Sequence, residues 1–484
     1  MAVGTARLGA ERTPGLALGV VGLGIFGVLC GIGLAVGEYE ALVISLSLLA
    51  AAAVLADFRV GAVLLLIMMP VEGSVLFPHN MLGVTGLNPF NVVLGATLLA
   101  FLVRGKDLKR FVPKPLFWLY LVPVLIAGFL GTRHVDEIYP YFYEIEIIHF
   151  NDAMGYLRDV MVKPLFMVAA SLLIGQAVAQ AKRVENFLVP IIIAVWVMSL
   201  MLIGFVVTSG LSLGELALAT QRTLLSVLGM HANDLGRLYA VAYGLLLFTW
   251  GETKDVRLKT VLVVTMGALT LALLFTFSRG AFIGWALVNV LFLIWKFNAR
   301  TAAIAIFCAA VGLSVMPGAV VSRMTLGLVG GTDVNEVSAG RIDEIWIPLM
   351  PELFKSPVWG SGLDSTMWAK ALWEETMLPV THPHNAYLQA ILDMGLLGLG
   401  LLLAFYWTVY RKMRALGSNA YLSPTMRGFY QGAVAGLMCF IVTGFAGSSL
   451  RATPEFAFLW IAIGMMYGQL QRKPETGPAW RAQP

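Results

Sequence analysis

Long apolar runs, each bounded by a few polar residues, recur along almost the whole chain. Roughly 20 consecutive apolar residues are what a bilayer core requires of a helix. The runs predict about fourteen membrane helices, near 16–36, 41–57, 60–76, 89–104, 115–132, 159–180, 186–208, 236–251, 259–277, 280–297, 301–319, 386–410, 427–447 and 454–471. Breakers inside a span, such as Pro70, are tolerable where neighbouring helices cover the freed backbone. One long connection, 320–385, differs from the rest. It holds Trp346, Trp359, Trp368 and Trp373, and in 341–354 the residues Ile342, Ile345, Trp346, Leu349 and Leu353 recur at helical spacing. That pattern predicts a folded, partly helical loop with a helix lying on the membrane surface.

The polar connections orient the spans. The basic stretches at 104–114, 180–185, 251–259, 296–300, 411–417 and 471–475 fall on alternate connections, which the positive-inside tendency makes cytoplasmic. The expected order is a cytoplasmic tail at 1–15, helices 1–11 over 16–319, a large periplasmic loop at 320–385, helices 12–14 over 386–471 and a cytoplasmic tail at 472–484. Both termini are then cytoplasmic, and 16–36 reads as a retained helix because no small-residue cleavage site clearly follows it. The opposite side carries an acidic loop, 132–159, and a segment near 209–235.

Composition agrees with the runs. Of 484 residues, 58% are hydrophobic and 13% charged, about half the charged fraction of a soluble domain; the mean hydropathy is +0.81. The pI near 9.0 comes from the basic anchors between spans, so it does not point to nucleic acid. Cys30, Cys308 and Cys439 sit far apart inside apolar runs, as small buried hydrophobes do. No repeat of 20–50 residues, no low-complexity tract and no pair of similarly interrupted helices is visible, which weighs against a transporter of inverted repeats.

The candidate chemistry lies on the non-cytoplasmic side. HPHNAYLQAILDMGLLG (382–398) puts His382 and His384 against the start of a membrane helix, with Asn385 as its N-cap. The positive end of the helix dipole disfavours imidazolium at His384, leaving a neutral ring able to accept a proton. The bland reading, polar residues flanking a helix, would be preferred for a lone histidine. Arg279 in FTFSRGAFIGW stands between two apolar runs against the positive-inside tendency, and Arg222 and Arg341 fall on the same side. Three guanidinium groups at one face suit a diphosphate, which they grip through bidentate charged hydrogen bonds. Salt bridges to Asp333, Glu336, Asp343 or the acidic loop are the alternative. Within that loop Asp136, Glu137, Glu144, Glu146, Asp152 and His149, with Tyr139, Tyr141 and Tyr143, form a weaker candidate for a sugar-facing surface.

Four stretches together resemble the bacterial O-antigen ligase and O-antigen polymerase superfamily: RTLLSVLGMHANDLGRLYA, SRGAF, SAGRIDEIWIPLMPELFKSPVWGSGLD and the His-x-His-Asn motif opening a helix that ends in Gly-x-x-Gly. They cover roughly residues 215–405 in the family's order. His231-Ala232-Asn233 departs from the usual Pro-Asn, which puts Asn233's role as a cap in doubt, and Asp393 stands where a Glu is common. The resemblance implies an all-α, GT-C-like glycosyltransferase of the bacterial inner membrane, with its active site facing the periplasm and no cofactor or metal. The implied donor is a glycan on undecaprenyl diphosphate, and the acceptor a lipid-linked or lipid A core glycan. Chain-length or export proteins are expected partners. His384 and His382 would be the catalytic bases, and Arg222, Arg279 and Arg341 the diphosphate ligands. Polymerisation of repeat units is expected over ligation of a finished chain, and a lipid-linked sugar transporter is the reading from another class.

Overall fold

The computed structural model describes residues 39–74, 84–104, 111–145, 147–216, 223–296, 340–370 and 380–472, with isolated positions at 78, 80–81, 218, 303, 318, 321, 335, 338 and 372. The expected helix at 16–36, nearly all of that at 301–319, most of 320–339, the two tails and Arg222 lie outside the described residues.

The chain divides into two compact units, one of residues 1–64 and 75–105, the other of 65–74 and 106–484. In the first, α1 (Tyr39–Ala56), α2 (Phe58–Met68, which runs on into the second unit) and α3 (Pro89–Arg104) form the framework. Gly61 lets α2 and α3 meet closely: a Cβ there would lie 2.0 Å from Thr97 Oγ1. Thr97 Oγ1 donates instead to the Val93 carbonyl at 2.6 Å, so no polar group is stranded. Between α2 and α3 sits a short antiparallel pair, β1 (Asn80–Met81) with β2 (Val84–Thr85), Asn80 opposite Thr85. It is the one departure from an all-α chain among the described residues.

The second unit contains α4 (Lys114–Glu137), α5 (Ala153–Ala179), α6 (Val184–Thr208), α7 (Ala232–Glu252), α8 (Val256–Phe275), α9 (Arg279–Trp295), α10 (Ile347–Lys355), α11 (Ala386–Gly417), α12 (Pro424–Ala446) and α13 (Ala457–Gln471). Six of these (α4, α5, α6, α8, α11 and α12) are long and apolar enough to cross a membrane. The protein is a multi-pass membrane protein. Helix α7 forms the centre: it is buried from Leu235 to Thr249 and packs against α8, α9 and α12. Small residues set those distances, as expected where lipid supplies no hydrophobic drive between helices. A Cβ on Gly432 of α12 would fall 2.4 Å from the Gly244 carbonyl, and one on Gly464 of α13 would fall 2.0 Å from that of Ser171 in α5. Buried tyrosines find carbonyl acceptors across helices, Tyr239 at Met198 (2.8 Å) and Tyr406 at Leu450 (2.6 Å).

Two features depart from the expected pattern. Helix α11 runs past the expected end near 410 to Gly417, with an interruption at Gly395, where φ is +67°. A side chain there would meet the Val358 carbonyl at 2.1 Å, so glycine admits both the left-handed backbone and the approach of the loop 356–365. The opened helix stays satisfied because that loop completes its pairing. Leu396 N donates to Pro357 O at 2.9 Å, and Ser361 N and Gly362 N donate to the carbonyls of Leu392 (2.8 Å) and Asp393 (3.0 Å). The stripe in 341–354 also has a second destination. Ile345, Leu349 and Leu353, with Trp346, pack on Leu388 and Leu392 of α11, while Ile347, Met350 and Phe354 form the exposed apolar face.

Candidate active site

The His-Asn motif is held where α10, α11 and the 356–365 loop converge. Asn385 caps α11, its Oδ1 accepting from Tyr387 N (3.1 Å) and Leu388 N (3.2 Å). Immediately before it, His384 adopts φ +51°, a conformation rare for a side-chain-bearing residue and typical of functional sites. The turn is clamped from α10's leading segment, where Trp346 Nε1 donates to the Pro383 carbonyl at 2.8 Å. This geometry brings the His382 and His384 rings to 4.3 Å between centroids, inclined at 69°. Thr381 Oγ1 lies 3.3 Å from His382 Nδ1.

The surroundings are cationic. Burial lowers the His384 pKa to about 2, with His382, Arg341, His231 and Arg237 adding to the effect. Burial and Arg237 lower His382 to about 4, opposed by the carboxylates of Asp364 and Glu455. Both rings are therefore neutral at physiological pH. Arg341 is itself pushed down to about 10 by burial and then by the charges of Arg279 and Arg237. Among the described residues no carboxylate lies within salt-bridge reach of Arg341. Arg279 opens α9 directly after Ser278, whose side chain caps that helix by accepting from Ala281 N at 3.3 Å. The structure thus puts Arg279, Arg341, His382 and His384 in one electrostatic neighbourhood; Arg222 lies outside the described residues.

Asn233 is not the cap of α7. His231 is: its Nδ1 accepts from the Asn233 backbone N–H at 3.2 Å, so a histidine performs the capping that asparagine commonly does. Asp152, read as part of a sugar-facing loop, caps the first turn of α5 by accepting from Gly155 N at 2.6 Å. Asp393 is buried in α11 and accepts from Ser365 N (3.0 Å), Ser365 Oγ (3.1 Å) and Gln389 Nε2 (2.6 Å), tying the 365 turn to the helix below the histidines. Glu146 lies outside the described residues. Cys439 is buried and free, a packed hydrophobe as expected.

Two buried cations escaped the sequence reading. Arg237, 3% exposed in α7, pairs with Asp234 one turn back, donates to the Ala446 carbonyl at 3.0 Å where α12 ends, and lies 5.8 Å from the Phe456 ring centroid. Arg451, 6% exposed, pairs with Asp364 and donates to the Val160 carbonyl at 3.0 Å. Each offered a signal: Arg237 follows Asp234 at i+3 near a helix start, and Arg451 interrupts a short apolar connection on the side expected to lack basic residues. Among the described residues no three His, Cys, Asp or Glu side chains gather as a metal ligand set.

Residues 261–403 match the O-antigen ligase family model. The matched O-antigen ligase segment holds Arg279, Arg341, the His-Asn motif and Asp393, whereas Arg237 and Arg451 fall to either side of it. Over 178 residues the chain is 23% identical to a Rickettsia conorii protein named as a candidate polysaccharide ligase, covering 34% of this chain and 42% of that one. The chain therefore spans less than half the length of that relative. The likeness to the O-antigen ligase and polymerase superfamily read from four motifs is supported by both matches.

Proposed function

We propose that the protein is an inverting glycosyltransferase that moves a glycan from a polyprenyl diphosphate, undecaprenyl diphosphate in bacteria, to a sugar hydroxyl at the periplasmic face of the inner membrane. The observation that carries this is the pairing of two half-buried neutral imidazoles with guanidinium groups at a helix start. A diphosphate entering there meets Arg341 and Arg279, and Arg222 where the same face is completed, through charged bidentate bonds. The acceptor O–H attacks the anomeric carbon as the bond from that carbon to the diphosphate oxygen breaks. The electron pair leaves with the diphosphate, and the acceptor proton passes to His384 or its neighbour His382. The chemistry is that of a GT-C-type enzyme needing no metal, because guanidinium groups supply the charge that stabilises the leaving group.

The depressed imidazole pKa values fit this sequence of events. An imidazole lowered to about 2 or 4 by burial and neighbouring cations is a weak base alone. Anionic oxygens held by Arg341 and Arg279 reverse that electrostatic balance and raise its proton affinity. Base strength then rises as the donor binds and its diphosphate gains charge, coupling proton transfer to cleavage.

The long run of membrane helices favours polymerisation of O-antigen or exopolysaccharide repeat units; the name of the Rickettsia relative favours ligation of finished glycan to lipid A core. The accumulated product in a deletion strain separates them: single lipid-linked repeats for a polymerase, long unattached chains for a ligase. Transfer by the purified full-length protein tests the shared chemistry. His384→Ala with His382→Ala should abolish glycan transfer in a protein that still folds and inserts, and full activity would refute the assigned base.

A further inference from the structure

A cavity of about 570 Å³ opens beside the 356–365 loop, away from the His-Asn turn. That volume is within the range of small-ligand sites. Its rim carries Trp359, 64% exposed, and its wall the buried Trp368, on which the His134 ring stacks at 5.4 Å and 15°. Glu137 accepts from His134 Nδ1 at 3.1 Å, and Glu352 is bridged to Lys355 Nζ at 2.7 Å, so both carboxylates are held in place at the edge. The Trp368 Nε1–H is buried and meets no acceptor among the described residues.

An exposed indole beside fixed carboxylates is suited to a pyranose: the ring's C–H face lies on the aromatic surface while its hydroxyls donate to carboxylate oxygens. The backbone that carries the indole is fixed: Trp359 packs closely on Gly395, where a Cβ would come within 2.5 Å of Trp359 N. Position adds a second argument. The helical segment that starts beside Arg341 ends with Glu352 and Lys355 on the cavity rim. From Arg341 to Glu352 its axial rise is on the order of 16 Å, a span a few linked sugars cover. We infer that this cavity is a glycan-binding subsite that holds sugars distal to the reacting residue, with Trp359 as its stacking platform. The inference rests on the glycan-transfer reading above.

The test uses full-length protein in detergent and oligosaccharide released by mild acid from the source cells' own polysaccharide, with binding read by saturation-transfer NMR. Trp359→Ala should weaken binding about tenfold, the scale of one aromatic contact, and Trp359→Phe should restore most of it. In transfer assays Trp359→Ala should raise KM for the glycan substrate and leave kcat nearly unchanged. Unchanged affinity in Trp359→Ala would overturn the subsite. So would quenching of Trp359 by brominated lipid that bound oligosaccharide does not relieve, since the indole would then be a membrane-interface anchor. The binding readout needs no turnover. Oligosaccharide binding retained by His384→Ala protein supports the subsite even if the catalytic assignment fails, and loss confined to Trp359→Ala in an active enzyme separates the two in the other direction.

Discussion

Arg237 and Arg341 lie close enough to influence one another, yet they are held in opposite ways. Arg237 is enclosed, paired with Asp234, bonded to the end of α12 and laid over Phe456. Arg341 is half-buried, but its charge is opposed by Arg279 and Arg237, and no carboxylate among the described residues relieves it. Arg451, paired with Asp364, belongs with Arg237. A cation whose charge is cancelled internally holds helices together; a cation that no carboxylate among the described residues meets is poised for an anion brought from outside. The residue type is the same, and the partner decides the task.

This contrast orders what substitutions should do. Arg237→Ala should have the largest effect on folding, about 3–5 kcal/mol, because it removes the cation that pairs with Asp234 and whose charge also acts on the buried Glu455. A thermal or denaturant midpoint in detergent near that of the parent would break the division between the two kinds of arginine. Arg341→Ala should cut glycan transfer by roughly 10²–10³-fold, with the unfolding midpoint unchanged or raised, since a mutual repulsion is removed. A folding loss comparable to that of Arg237→Ala would show that Arg341 is structural after all.

Gly395→Ala should cost roughly 1–3 kcal/mol by forcing a side chain into a positive φ and against the Val358 carbonyl 2.1 Å away. It should also lower transfer, because the loop that completes the opened turn of α11 and carries Asp364, whose charge acts on His382, would shift. A separate effect concerns pH. The folded-state pKa values of His382 and His384, about 4 and about 2, lie below the unfolded value near 6.5. Below pH 6.5 the unfolded chain therefore binds more protons, and stability falls as pH drops from about 6.5 toward 4. His382→Asn with His384→Asn should flatten that slope in a stability titration; an unaltered slope would mean the imidazoles do not carry the burial described.

Much of this was legible in the residues. Apolar runs located α1, α3, α6 and α8 closely because lipid-length helices need little else to declare themselves. The His-Asn turn was legible because a cap and two imidazoles against a membrane helix are chemically expensive. Arg237 was not, because a window averaging apolar residues over 236–251 absorbs a single guanidinium, and only the fold shows Ala446 and Phe456 meeting it. The break at Gly395 was equally hidden. A glycine in a helix reads as packing or termination, and its true role depends on a loop about 35 residues earlier in the chain folding back to bond the opened turn. His231 as a cap was masked by the commoner expectation of Asn at such positions.

The most direct measurement is the affinity of the full-length protein for a short polyprenyl diphosphate carrying no sugar, compared between the parent and Arg341→Ala. Capture of the diphosphate by the Arg341 guanidinium predicts a Kd weakened about tenfold or more on removing that charged partner, and parent binding that declines with salt. Equal affinity in the two proteins would contradict it.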